Sequence, residues 1–316
     1  MRIRPIVKKT VIGIAVLLML MAILGLLGRL IAPHQSLREK LEASRRCRLC
    51  DLSGVDLSGA DLAGTDLTGA FLPSADFKGA NLAGADLTNA DTRYARFDDC
   101  VLDGATWVNG HPCKAPSLGR CLTPAVQTLL ETGQCPTCDL KAAILSDLDL
   151  SGDFLKGANL SRAALSGARL AGADLARADL TRAVARQADF QASHLMEADL
   201  TEADLNGSDL SGAYLRGALM VHAILTDTLM ANADLRRTIL QAADLSGARL
   251  NAADLSGANL KQAHLNRADL SGANLAGTNL VGADIREAIW TDAYLVDAVW
   301  TNGKKCAPGS IGRCVQ

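Results

Sequence analysis

From Cys50 onward every fifth residue is large and apolar, and the residue two places before it is small. In the first stretch the large position reads Leu52, Leu57, Leu62, Leu67, Leu72, Phe77, Leu82 and Leu87, then Phe97, Leu102 and Trp107, with Thr92 as the one lapse. The small position runs through Val55, Ala60, Thr65, Ala70 and Ala75 to Ala105. A second stretch keeps one register from Leu140 to Trp300, thirty-three units against twelve in the first, with Ala185 its clearest lapse. The 33 residues from Trp107 to Leu140 are not a multiple of five, so the register breaks and restarts. A period of five fits neither the 3.6 of a helix nor the alternation of a strand. Fixed self-similarity is the signature of a solenoid, in which each unit buries its apolar residue only against its neighbours. The small residue and the Leu two places on share a face, as in a strand. The remaining residues point outward or turn a corner, where Gly tolerates the tight backbone.

Composition agrees with one small space filled many times. Hydrophobic residues make up 49% of the chain, yet only 3% is aromatic. A net charge of −2 is too balanced to call for a nucleic-acid partner.

The N-terminus stands apart. Thr10 to Gly28 is free of charge, and nineteen helical residues rise about 28 Å, close to the hydrocarbon thickness of a bilayer. The run is apolar on every face and has no clear small-x-small cleavage site after it. It is read as an uncleaved single-pass anchor, with a cleaved signal as the other reading. Arg2, Arg4, Lys8 and Lys9 before it favour a cytoplasmic N-terminus, but Arg29, Arg38, Lys40, Arg45, Arg46 and Arg48 follow it. Flanking charge therefore leaves the orientation to the cysteines.

The tandem Ala-Asp/Asn-Leu-x-x units, as in 173-ADLARADLTRA-183 and 253-ADLSGANLKQAHLNRADLSGANLAGTNL-280, resemble the pentapeptide-repeat family over about three quarters of the chain. The resemblance implies an all-β fold: a right-handed quadrilateral parallel β-helix with four repeats per coil. Residues twenty apart would then stack at the strand spacing of about 4.8 Å. Some members of that family mimic duplex DNA and bind DNA gyrase, which supplies an alternative function.

The ends of the arrays carry the most specific signals. The first closes with 107-WVNGHPCKAPSLGRC-121 and the second with 300-WTNGKKCAPGSIGRC-314; each opens on a CxxC, Cys47 with Cys50 and Cys135 with Cys138. Short capping helices are expected before each start, over 37–43 with Ser36 and Glu39 as a capping box, and over 124–131 opened by Thr123 and Pro124. The module is therefore present twice. Domain boundaries fall at 1–32 (cytoplasmic tail and anchor), 33–121 (capping helix and first array) and 122–316 (capping helix and second array). Expected bridges are Cys113–Cys121 and Cys306–Cys314, then Cys47–Cys50 and Cys135–Cys138, with Cys100 an inert core thiol. A redox CxxC lacks a thioredoxin-like βαβ context. A zinc site from Cys113, Cys121, Cys135 and Cys138 is conceivable. Yet each pair recurs elsewhere without the other, as a self-sufficient pair would. Paired cysteines behind an anchor favour an oxidising, extracytoplasmic or periplasmic location.

No catalytic, cofactor-binding or metal constellation is found: His34, His111, His194, His222 and His264 are scattered, and the recurrent Asp is read as solvated or bonded to its own turn. Outward ladders pair Arg182 with Glu202, Arg177 with Glu197 and Arg267 with Glu287. One departure stands out. Leu219, Ile224, Leu229 and Ile239 occupy the outward position that Asp or Asn usually holds, a possible interaction belt. Ile144, Ala164 and Val184 form a second apolar stripe, read as the seat of the helix at 124–131. The expected function is a non-enzymatic structural or protein-interaction module, tethered to the membrane through residues 10–28. Its partner would be a protein or envelope component rather than nucleic acid or a small-molecule substrate.

Overall fold

The computed structural model describes residues 37–316; the apolar run at 10–28 and Ser36 lie outside the described residues. Among the described residues no helix is long and apolar enough to cross a membrane. Parallel bridges join residues twenty apart, from Arg46↔Asp66 to Asp86↔Thr106 and again from Gln134↔Phe154 to Asn279↔Val299. Four five-residue units thus make one coil, and the pleat repeats on four sides. Each rung is held from both directions: Leu52 N–H donates to the Phe71 carbonyl at 2.8 Å, and Phe71 N–H donates back to the Cys50 carbonyl at 2.8 Å.

The core is what period five requires. Leu52, Leu57, Leu62 and their successors are fully buried, with Ala60, Ala70 and Ala75 opposite. In the last coils of the first array the ladder turns aromatic: Phe77 stacks on Phe97 at 5.1 Å, and Phe97 meets Trp107 edge-on at 5.4 Å. In the small position the Ser208, Thr228 and Thr238 hydroxyls each donate to the carbonyl three residues back at 2.7 Å, whereas the buried Thr65 and Ser193 hydroxyls have no partner among the described residues.

Each corner is a turn closed by the small residue's N–H on the carbonyl of the Leu three before it, as Ala60 on Leu57 at 3.0 Å. Its second central residue takes a left-handed φ whatever its identity: Gly59 at 63°, but also Arg162 at 60° and Ala252 at 57°. The turn geometry demands this φ, so glycine is favoured there and other residues carry the strain. The recurrent Asp accepts the backbone N–H two residues on, at 2.9 Å for Asp56–Ser58 and for Asp179–Thr181.

Helix α1 covers residues 37–44 and buries Leu41 in the first core. Helix α2, Pro124–Thr132, is capped by Thr123, opens on proline and closes on a left-handed Gly133. It sinks Val126 and Leu129 into the second core. That placement corrects the reading of Ile144, Ala164 and Val184 as the seat of α2. The stripe instead faces Tyr94 and Phe97 of the first array, and Ile144 packs against the first core. The helix has a better burial at the open end of its own array, where its short apolar stripe closes the Leu ladder.

Candidate interaction surface

A filled interior leaves the outside as the place for recognition. The structure joins Cys47 to Cys50, Cys113 to Cys121, Cys135 to Cys138 and Cys306 to Cys314, with Cα separations of 5.3, 4.9, 5.3 and 5.0 Å. With Cys113, Cys121, Cys135 and Cys138 paired in this way, a four-thiolate zinc site has no free sulfur. Cys100 is a buried free thiol whose pKa burial pushes up to about 12. Among the described residues no group of three or more His, Cys, Asp or Glu side chains is placed to hold a metal ion.

The arrays touch along a seam. Tyr94, at a corner of the first array with φ 60°, donates its Oη to the Asp204 carboxylate at 2.9 Å. Arg186 donates Nε to the same carboxylate at 2.7 Å and lies over the Tyr94 ring at 4.8 Å. Asp204 therefore has a side chain only 2% exposed, although its repeat position usually faces water. Burial, and then the bond to Asp204, raises the Tyr94 pKa. Beside this contact a cleft of about 670 Å³ runs between the arrays, floored by Ile144, Ala164 and Val184.

The belt residues fall on three sides of the second array. Leu219 stacks directly on Ile239, whereas Ile224 bridges Asp204 and Leu229 bridges Asp209 on other sides. Leu219 and Ile224 are exposed; Leu229 and Ile239 are half-buried. So the structure brings one pair together and sends the other two elsewhere. Ile224 is the rung next to the seam. The expected ladders are present: Arg177–Glu197 at 2.7 Å, Arg182–Glu202 at 2.8 Å and Arg267–Glu287 at 3.8 Å.

A patch that sequence reasoning passed over lies around the corner from Leu219. His194 and Tyr214 stack in adjacent coils with ring centroids 4.9 Å apart, and both are exposed. Met196 and Arg216, also exposed, stand two residues after each of them. The signal was available, since His194 and Tyr214 hold the Asp position and differ by twenty. Tyr, Met and Arg are the side chains enriched where protein surfaces meet.

The model for pentapeptide repeats matches residues 46–89, 75–106, 158–196, 193–230, 213–251 and 253–292. The chain belongs to the pentapeptide-repeat family. Among solved pentapeptide-repeat structures, HetL, involved in heterocyst differentiation regulation in the cyanobacterium Nostoc sp. strain PCC 7120, is 32% identical, over 84% of this chain and 96% of that one, with a TM-score of 0.28. QnrB1, a plasmid-mediated fluoroquinolone resistance protein, is 16% identical over 77% and 92% of the two chains, with a TM-score of 0.25. A pentapeptide-repeat protein of the Arabidopsis thaliana thylakoid lumen is 23% identical over 54% and 70%, with a TM-score of 0.14. No curated protein sequence matches the chain. The right-handed quadrilateral β-helix of this family is the architecture of the bridges described above.

Proposed function

We propose that this pentapeptide-repeat protein is a non-enzymatic interaction module, held at a membrane by residues 10–28 and presenting its arrays to an oxidising, extracytoplasmic space. The observation that carries the interaction role is the exposed cluster of His194, Met196, Tyr214 and Arg216 with Leu219 beside it, on a rod whose interior is filled. Rigid aromatic side chains on a fixed backbone lose little entropy on binding, and Tyr and Arg are enriched among the residues that carry most of the energy at protein interfaces. Four cysteine pairs within bonding distance support an oxidising compartment, because disulfides persist there and are rare in reduced cytosol.

Charge argues against a duplex-DNA mimic that binds gyrase. Between Leu140 and Trp300 there are 20 acidic and 14 basic residues, a net of −6. Duplex DNA carries a charge every ~1.7 Å. Several ladders also change sign, with Arg169 on Asp149 at 2.8 Å and Arg182 on Glu202 at 2.8 Å, which interrupts the continuous negative track a mimic needs.

The test places a photo-crosslinking amino acid at Met196 in the full-length chain in its membrane, with Ser256 on the same side as control. A discrete adduct from position 196, absent at 256 and lost in Tyr214→Asp, is the expected result. Equal labelling at both positions would overturn the reading.

A further inference from the structure

The two Cys caps share sequence and fold but differ in their surroundings. In both, the chain doubles back on the last coil: Thr106↔Pro112 and Val101↔Leu118 in the first, Val299↔Lys305 and Tyr294↔Ile311 in the second, all antiparallel. Trp107 N–H donates to the His111 carbonyl and Trp300 N–H to the Lys304 carbonyl, each at 2.8 Å.

The first cap is covered. Trp107 is 1% exposed, and its indole Nε1 donates to the Ala142 carbonyl at 3.0 Å. Arg120 donates Nε to the Ile144 carbonyl at 2.6 Å and Nη2 to the Ser146 carbonyl at 3.4 Å. The cap therefore docks on main-chain acceptors at the start of the second array, seven, nine and eleven residues after Cys135. Docking of this kind reads backbone and asks little of the side chains beneath.

The second cap has the same donors, and among the described residues nothing covers them. Trp300 is half-buried, and among the described residues its indole N–H has no acceptor; Arg313, the counterpart of Arg120, is exposed with no hydrogen bond or ion pair. Around them Ile289, Tyr294, Ile311 and Val315 are exposed large apolar side chains at one end of the rod. Ends of solenoids need covering, and this one presents grease instead.

We infer that the C-terminal cap docks on the start of the first array of a second copy of this chain. The start of the second array is already occupied by the chain's own first cap. The corresponding carbonyls of the first array, seven and nine residues after Cys47, belong to Gly54 and Asp56, and neither accepts a hydrogen bond among the described residues. The third, Ser58, accepts from Arg38 at 2.8 Å, so the match is to two of three acceptors. Local charge points the same way. Residues 301–316 carry Lys304, Lys305 and Arg313 with no acidic side chain; the receiving side offers Asp56 and Asp76, with Arg38, Arg45, Arg46 and Arg48 beside them, so local pairing with Asp56 and not net charge favours the contact. A cap-on-start contact uses two different patches, so it is heterologous and adds copies head to tail rather than closing a pair.

Analytical ultracentrifugation of the full-length chain in detergent tests this. The wild type should associate with rising concentration, and Arg313→Ala, Ile311→Asp and Asp56→Arg should each weaken association at least tenfold. All three positions are exposed, so folding is kept, as an unchanged circular dichroism spectrum will verify. Mixing Ile311→Asp with Asp56→Arg leaves one intact cap and one intact start, and should yield dimers but nothing larger. A wild type that stays monomeric overturns the proposal. So does association that Ile311→Asp abolishes and Asp56→Arg does not, which would mean a cap-to-cap pair.

Discussion

The Tyr94 phenol donates to the Asp204 carboxylate at 2.9 Å, although the two residues lie 110 positions apart and in different arrays. Elsewhere that Asp position satisfies itself on its own turn, as Asp204 also does by accepting the Asn206 N–H at 3.1 Å. Here the first array removes the carboxylate from water, and Arg186 supplies the opposite charge. A buried carboxylate is tolerated only when its oxygens are bonded and its charge is paired.

Removing one donor at a time should grade the seam. Tyr94→Phe loses a bond to a charged acceptor, costing about 1.5 kcal/mol, while Arg186→Met strips the counter-charge and costs about 3 kcal/mol. Asp204→Asn should fall between them. Urea unfolding of the three variants checks the order, and an Arg186→Met no worse than Tyr94→Phe would contradict it.

The same seam should loosen in alkali. The folded Tyr94 holds its proton above the ordinary tyrosine value of 10.0, mainly because it is buried. Its contribution is therefore complete below about pH 10 and declines as the pH rises through the raised folded value, where the unfolded chain has already ionised. The phenolate absorbance of the wild type minus that of Tyr94→Phe should show one tyrosine titrating late.

Cys100 should ignore alkylating reagents in the folded protein. Its thiol is buried with a pKa of about 12, so almost no thiolate exists near neutrality. With the other eight cysteines bridged, peptide mass spectrometry should find no label on the native protein, one after denaturation and nine after denaturation with reduction. Nine labels without reductant would remove the support for an oxidising compartment.

Corner substitutions should run opposite to the usual intuition about glycine. Gly59 has φ 63° and nothing within 4 Å of an added Cβ, so Gly59→Ala costs only the backbone strain, about 1 kcal/mol. Ala252 holds φ 57° at an exposed corner, and Ala252→Gly should stabilise by about 0.5 kcal/mol, the relieved strain less the added chain entropy. Thermal melts of both variants decide.

Stability should fall in acid because turn carboxylates are held below their usual range. The hydrogen bond from Arg286 leads in lowering Asp284 to about 2, and the hydroxyl of Thr68 leads for Asp66. Depressed folded values mean that this stability is present above the ordinary 3.8 and is lost as the pH drops toward about 2. Melting temperature against pH should show that decline, and Asp284→Asn should flatten it.

Arithmetic in fives and twenties reaches every contact that repeats along this chain. Which residues line the core, which face water and which ladders stack, such as Arg182 on Glu202, all follow because each unit touches only its neighbours and the coil repeats every twenty residues. The His194–Tyr214 pair was legible by the same count. What covers the outward faces is set only once the chain has folded. Ile144, Ala164 and Val184 were recognisable as an apolar stripe, yet α2 and the first array were both available to bury it, and only the folded chain selects the array. Tyr94 and Asp204 lie on opposite sides of the 33-residue register break, where periodicity stops carrying information. Contacts within a solenoid are local and repeat with the sequence; the docking of one solenoid on another is long-range and happens once, so no period encodes it.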